Sequence, residues 1–366
     1  MFVCLSPGGQ MITVDGSPGE SLLVGTANGI FSFARQNGSW SPKETFLTGQ
    51  HISALLFEPS SRMLFAGTYG EALYASKDLG RHWERRDRDI GGREIYTLAC
   101  QEVGGRPRLY AGTQPAHLFF SDDLGQSWTE LPGLRQVPGV EKWTFPAPPH
   151  HAHVKSLAFD PRRSDTIYAA VEVGGFLKST DGGKSWRTVS GLNPDAHRVL
   201  VPLSDPGKVY LVMPTTNAGP ADVAGVCVSR DGGESWQSLT PRDFRIGYVD
   251  PLLVHPRNGN LMFVAGAKTG PGTWRKTRTA DARIARSRDG GKSWDILAGG
   301  LPEHIRGNVE ATAMDVWNEG FALFAGTTDG EVFYSSDEGD SWRKIIQGIG
   351  PVSKAHHHHN LEASAA

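Results

Sequence analysis

The octapeptide Ser-x-Asp-x-Gly-x-x-Trp occurs six times in this chain, beginning at Ser76, Ser121, Ser179, Ser229, Ser287 and Ser335. The copies close on Trp83, Trp128, Trp186, Trp236, Trp294 and Trp342. A seventh, eroded copy ends in Asn37-Gly38-Ser39-Trp40, keeping the Trp without the Asp. Successive Trp residues lie 43 to 58 positions apart. A period of that size means one supersecondary unit repeated, which cannot bury its apolar face alone and must stack on its neighbours.

Each unit carries the same content. In the second, Ser53-Ala54-Leu55-Leu56-Phe57 precedes a turn with Pro. Leu64-Phe65-Ala66-Gly67-Thr68, a hairpin, Ala72-Leu73-Tyr74-Ala75, the box and a further strand follow. Short β-rich runs bounded by Gly, Pro, Asn and Asp read as strands and turns, and no stretch has helical periodicity long enough to compete. Four strands per unit and seven units predict an all-β chain, a seven-bladed β-propeller over residues 1–350. Within the box, Asp and Ser bond backbone groups of the turn between third and fourth strands. The Gly permits positive φ, and the Trp covers apolar space between blades. Those tasks make the six carboxylates structural rather than a row of catalytic or calcium-binding acids.

These boxes make the chain resemble the Asp-box (BNR-repeat) propellers over about residues 20–345. That superfamily includes sialidases, xyloglucan hydrolases, sortilin-type receptors and a photosystem II assembly factor. The resemblance implies the fold, and comes nearest to bacterial sialidase-like or glycosyl-hydrolase-like propellers; enzymes, receptors and scaffolds all carry the box. Sialidases need three arginines around a carboxylate and a Phe-Arg-Ile-Pro motif near the N-terminus of a six-bladed propeller. The nearest match, Phe244-Arg245-Ile246-Gly247, comes late and lacks the Pro, so exo-sialidase activity is not expected. Xyloglucan hydrolases pair two seven-bladed domains, whereas this chain carries one.

The 366 residues carry a net charge of −2, which supplies no basic field for nucleic acid or an anionic membrane. No run approaches 18 apolar residues, so no membrane span is expected. Three cysteines, Cys4, Cys100 and Cys227, make no disulfide framework. The start, Met-Phe-Val-Cys-Leu-Ser-Pro, lacks the charged and apolar regions of a signal peptide, so a cytoplasmic location is expected.

Function on a propeller is sought where the innermost strands begin. Counting back 13 residues from Leu64, Leu109, Leu261 and Leu323 lands on His51, Tyr96, Tyr248 and Glu310. His197 lies 12 before Val209 and His153 14 before Ile167, while the first blade offers only Gly9 or Gln10. A ring of three His, two Tyr and one Glu is proton-transferring or metal-binding in character. Glu172, in the blade-four hairpin with Gly174 and Gly175, joins the same face. The expected catalytic set is Glu172, Glu310, His153, His197 and Tyr248, with Glu172 or Glu310 as general acid or base. His51, Tyr96 and Trp143 are expected to bind the ligand, Trp143 as a flat platform or as an anchor for its own loop.

Two enlarged hairpins, 213–225 and 267–283, have the lengths of binding loops. The second carries Lys268, Arg275, Lys276, Arg278 and Arg283 against Asp281 alone, a local positive lid suited to an anionic group. His51, His153 and His197 are also the candidates for a divalent metal at the channel mouth. Residues 351–366, with His356 to His359, read as a disordered tail. The chemistry therefore points to a small anionic sugar-like ligand, bound and either hydrolysed or eliminated at the channel mouth. The alternatives are a non-catalytic scaffold for a protein partner and a His-ligated metalloenzyme.

Overall fold

The computed structural model describes residues 2–216, 218, 223–241 and 243–362. Seven sheets follow one another along the chain as the blades of a β-propeller. Blade 1 is built of Phe2–Leu5, Ser21–Thr26, Gly29–Gln36 and Ser39–Phe46. Blade 4, typical of the rest, runs His153–Phe159, Ile167–Glu172, Gly175–Ser179 and Arg187–Thr188 in order outward. The chain divides into two compact units. One comprises Met1–Phe57, Asp243–Val254 and Asn260–Ala366; the other Glu58–Arg242 and His255–Gly259.

The middle strands are buried along their whole length, as in Met63–Thr68 and Ile167–Glu172. Alternation vanishes because both faces of a blade pack on apolar neighbours. In the first unit, Phe263, Ile284 and Leu253 of blade 6 pack with Met314, Leu323 and Phe333 of blade 7. In the second, Tyr110 and Leu118 of blade 3 pack with Val154, Ala169 and Leu177 of blade 4. Glycines ending second strands make this approach possible: a Cβ on Gly112 would lie 2.7 Å from Val154 Cγ1 of the next blade. The threonine after that glycine closes the hairpin, as Thr68 Oγ1 accepts from Ala72 N–H and donates to the Ala72 carbonyl.

The boxes do the folding work expected of them. In blade 4 the Ser179 hydroxyl donates to Asp181 Oδ1 at 2.8 Å and accepts from Gly183 N–H at 2.9 Å. Asp181 in turn accepts from Ser185 N–H and hydroxyl, and Trp186 Nε1 donates to the Gly183 carbonyl at 2.9 Å. The same bonds recur in the boxes of Ser229 and Ser335.

Two expectations need correction. Blade 1 has no residue equivalent to the polar column, because Phe2–Leu5 runs parallel to Ser21–Thr26 and the following segment leaves the blade. A Cβ at Gly9 would collide with the Leu55 backbone. Gln10 spends its amide between Phe57 N–H and the Ile12 carbonyl, and Ile12–Val14 adds in parallel to Val309–Trp317 of blade 7. The expected disordered tail is folded as far as it is described. A 3-10 turn, His357–Leu361, buries His358, Asn360 and Leu361, because its apolar and polar groups find partners on the first unit. The positive lid likewise contains a short helix, Pro271–Thr277, whose Trp274 is fully buried.

Ser179→Ala should cost about 1–3 kcal/mol, since it strands the buried Gly183 N–H in a turn that closes blade 4. Urea denaturation checks this; an unchanged midpoint would remove the hydroxyl from the account of the box.

Candidate functional site

Polar side chains enter the sheets at β-bulges. In blades 3, 4 and 7 the inner strand slips register by one residue, and the extra residues are Tyr96, Lys155 and Glu310. A bulge leaves one residue unpaired and re-aims its side chain. The column is therefore real in these blades, but its blade-four member is Lys155 and not His153. Lys155 lies 12 residues before Ile167, the same slip that leads to His197 from Val209.

In the second unit these residues surround one carboxylate. His153 opens the inner strand of blade 4 opposite Glu172 in register. Its Nε2 lies 3.1 Å from Glu172 Oε2, and Lys155 Nζ pairs with the same oxygen. His197 Nε2 stands 3.2 Å from Glu172 Oε1 and 3.2 Å from Asp195 Oδ1. All five side chains are buried, Glu172 at 3% exposure. Burial pushes the Glu172 carboxyl up, but Lys155 and His197, with the bonds from both imidazoles, outweigh it and hold the group well below the usual range. Asp195 is held down against its burial by His197. Burial and Lys155 push His197 down, and the two carboxylates prevail and raise it. The cluster is thus a set of compensated charges. Tyr96 packs its ring 3.8 Å from that of His153, and Phe145 lies edge-on at 5.0 Å.

Trp143 belongs to the loop's anchoring. Gly174 is so close that an added Cβ would touch the indole at 3.0 Å. The Thr144 and Val173 backbones exchange hydrogen bonds, clamping the loop to the blade-four hairpin. Glu94, which the sequence reading passed over, is half-buried at the start of the blade-three inner strand. Burial, helped by Glu71, pushes its carboxyl up to about 7. Its place opposite Gln114 matches that of His153 opposite Glu172, so counting from strand starts would have found it.

In the first unit, Glu310 is fully buried and saturated. Oε1 accepts from Asn308 Nδ2 at 3.0 Å and from His357 Nδ1 at 2.6 Å, and Oε2 accepts from Lys354 N–H at 2.6 Å. Burial pushes it up, while His357 and Lys354 bring it below its ordinary value. Lys354 Nζ pairs with the buried Asp250 carboxylate and lies 5.6 Å over the Tyr248 ring. His51 Nε2 sits 2.9 Å from the Ser353 carbonyl; burial lowers its pKa.

Arg275 and Arg278 of the lid, with Arg306 beyond it, face the C-terminal segment, while Arg283 pairs with Asp281. Arg275 Nε donates to Asn360 Oδ1 at 2.5 Å, Arg278 Nη1 to the Glu362 carbonyl, and Arg306 Nη2 to the Leu361 carbonyl at 2.8 Å. Leu361, 3% exposed, fills a seat made by Tyr248, Ala267, Trp274 and Ala280. Lys268, whose backbone N–H donates to the Ala280 carbonyl of that seat, lines a pocket of about 360 Å³ with Thr269, Thr273, Thr277, Thr279, Ala280, Asp281 and His304.

Two groups of side chains bring metal-ligating atoms within 4.8 Å of one another, Glu172–Asp195–His197 and His358–His359–Glu362. In the first, Lys155 already neutralises Glu172 without an ion. Of the three imidazoles proposed for a metal, His153 and His197 direct Nε2 at Glu172, and His51 directs Nε2 at a carbonyl.

Compared with known proteins, the sequence matches no family model and no curated relative. Solved structures share the fold. The GH74 xyloglucanase of Xanthomonas campestris superposes with a TM-score of 0.67 at 19% identity, over 94% of this chain and 55% of that one. The GH74 enzyme of Niastella koreensis gives 0.62 at 18% identity, over 94% and 56%. The chain spans just over half the length of these two GH74 proteins. YCF48 bound to D1 peptide gives 0.51 at 14% identity, over 92% and 96%. Glycosidases and a peptide-binding propeller thus stand side by side among the neighbours. No helix among the described residues is long and apolar enough to cross a membrane.

Lys155→Met should destabilise the chain by about 3–5 kcal/mol, the cost of stripping a buried carboxylate of its cation. His197→Gln should show a pH signature. The folded-state pKa of His197 is raised, so its contribution is full below about pH 6.5 and fades as pH rises through the folded value. The stability gap between the native chain and the variant, measured in urea at stepped pH, should close on the alkaline side.

Proposed function

We propose that this chain is a non-catalytic recognition propeller that binds a short turn-forming peptide segment of a protein partner on its first unit, at the blade-six insert. The observation that carries this reading is the grip on Asn360-Leu361-Glu362. Three guanidinium groups hold one side-chain oxygen and two backbone carbonyls, and an apolar seat takes the leucine between them. Main-chain bonds that give affinity and a pocket that gives selectivity are the usual division of labour in peptide recognition. The chain's own segment shows what this surface accepts.

The state of Glu172 and Glu310 supports binding over hydrolysis at these two acids, while Glu94, half-buried and pushed up to about 7, keeps a proton to give. A general acid at neutral pH needs a raised pKa and an approach for substrate. Glu172 and Glu310 are sealed, hydrogen-bonded and lowered. Fold kinship with xyloglucanases carries no reaction with it, whereas the full-length overlap with YCF48, a propeller with a bound peptide, agrees with a peptide ligand.

A second reading rests on the pocket beside the insert. Lys268, His304 and four threonines line it around Asp281, with which both Lys268 and His304 pair, a polar set that suits a small sugar-like ligand. Lys268→Ala would abolish binding of such a ligand and leave the peptide grip unchanged.

The test uses the full chain with Leu361→Arg, which places a cation among Arg275, Arg278 and Arg306 and expels the segment from its seat. A synthetic peptide of residues 356–362 should then bind saturably at micromolar concentration, and should not bind the native chain, whose seat is filled. Replacing leucine by aspartate in the peptide should abolish the signal. A cooperatively melting variant that ignores the peptide, or takes both peptides alike, would overturn the proposal.

A further inference from the structure

Among the described residues the C-terminal turn holds a cluster of side chains, two imidazoles and a carboxylate, that the peptide grip does not touch. We propose that His358, His359 and Glu362 form a binding site for one divalent transition-metal ion, with zinc the metal that best suits the donors. Their ligating atoms already lie within 4.8 Å of one another, on a 3-10 turn and its C-terminal cap, so closing them around an ion needs only side-chain adjustment. Two imidazoles and one carboxylate, with a coordination position left open, are donors that zinc accepts, whereas calcium and magnesium favour oxygen throughout.

The surroundings prepare this set. The Ser353 hydroxyl donates to the Lys354 carbonyl at 3.3 Å, so it accepts from the His358 backbone N–H and from ring Nδ1, at 3.2 and 3.1 Å. With Nδ1 donating to this oxygen, Nε2 is left with the lone pair that a metal takes. Metal-bound imidazoles are commonly oriented by a bond from the other ring nitrogen. His51 backs the His358 ring edge-on at 5.7 Å, and the His359 ring lies 4.0 Å from that of His358. His359 Nδ1 already meets Glu362 Oε2 at 2.9 Å.

Selection within the four-histidine run distinguishes a built site from a sticky sequence. His357 is committed to Glu310 at 2.6 Å, on the side of the turn that faces the blade-seven strand. His356 stacks 5.6 Å from His359 and belongs to no such ligand group. Because the same turn carries Leu361 into the Tyr248–Trp274 seat, an ion bound here pins the segment that fills the peptide grip. The metal proposal does not depend on that grip.

Titration of the full-length chain with zinc chloride in a non-chelating buffer, followed by calorimetry, tests it. One ion per chain should bind. His358→Ala, His359→Ala and Glu362→Gln should each weaken binding by about tenfold or more, the scale for losing a ligand or its orienting partner. His356→Ala should change affinity less than about twofold, well under one tenfold step of 1.4 kcal/mol. Equal losses for His356→Ala and His358→Ala, or no loss for Glu362→Gln, would show an unstructured histidine run and overturn the site. So would the absence of a one-ion endpoint. The Leu361→Arg peptide assay, run without zinc, reads the grip separately.

Discussion

Each blade must bury both faces of a four-stranded sheet, and the rest of the structure follows from that demand. A sheet sandwiched between neighbours cannot alternate apolar and polar residues, so strands such as Ile167–Glu172 are buried throughout. Polar groups that fold with such strands need partners inside the protein. The boxes meet that need at the turn between third and fourth strands, where Ser179, Asp181 and Gly183 satisfy one another. Thr68 and its counterparts meet it at the hairpin between second and third strands.

The same demand governs the buried charges, and both units reach one solution. Glu172 is surrounded by Lys155, His153 and His197, and Glu310 by His357, Asn308 and the Lys354 backbone. A bulge delivers Lys155 in one case and Glu310 in the other. Desolvation is outweighed by local partners, so both carboxylates stay ionised. Such networks fix geometry and leave no proton to give at neutral pH, which is why these acids are read as architecture.

The C-terminal segment covers the apolar and cationic surface of the blade-six insert, where a peptide ligand is proposed. Trp274, carried by a short helix in an enlarged hairpin, is buried against Tyr248 and Ala267 of the blade-six strands together with Leu361. Arg275 and Arg278 then find their acceptors on the same three residues. A long insertion, a cationic surface and an aliphatic seat together describe a surface shaped for a peptide, and the turn that delivers the peptide also carries the histidines and glutamate of the proposed metal site.

The sequence by itself determined the repeat, the blade count and the chemistry of the box. These are local properties: Ser, Asp, Gly and Trp act within eight residues of one another. It also led to Tyr96 and Glu310, two of the bulge residues, because a rotational repeat converts equal sequence offsets into equivalent positions. The blade-four member escaped, since a one-residue bulge moves Lys155, not His153, into the position, and offsets do not record a bulge. Whether Glu172 is a catalytic acid or a compensated buried charge was decided by the tertiary structure alone, because its pKa depends on residues 17 positions before it and 25 after it in the chain. The fate of residues 351–362 was decided there too. A polar, histidine-rich segment has no fold of its own, and Glu310, Arg275, Arg278, Arg306 and the Trp274 seat, brought to it by distant parts of the chain, give it one.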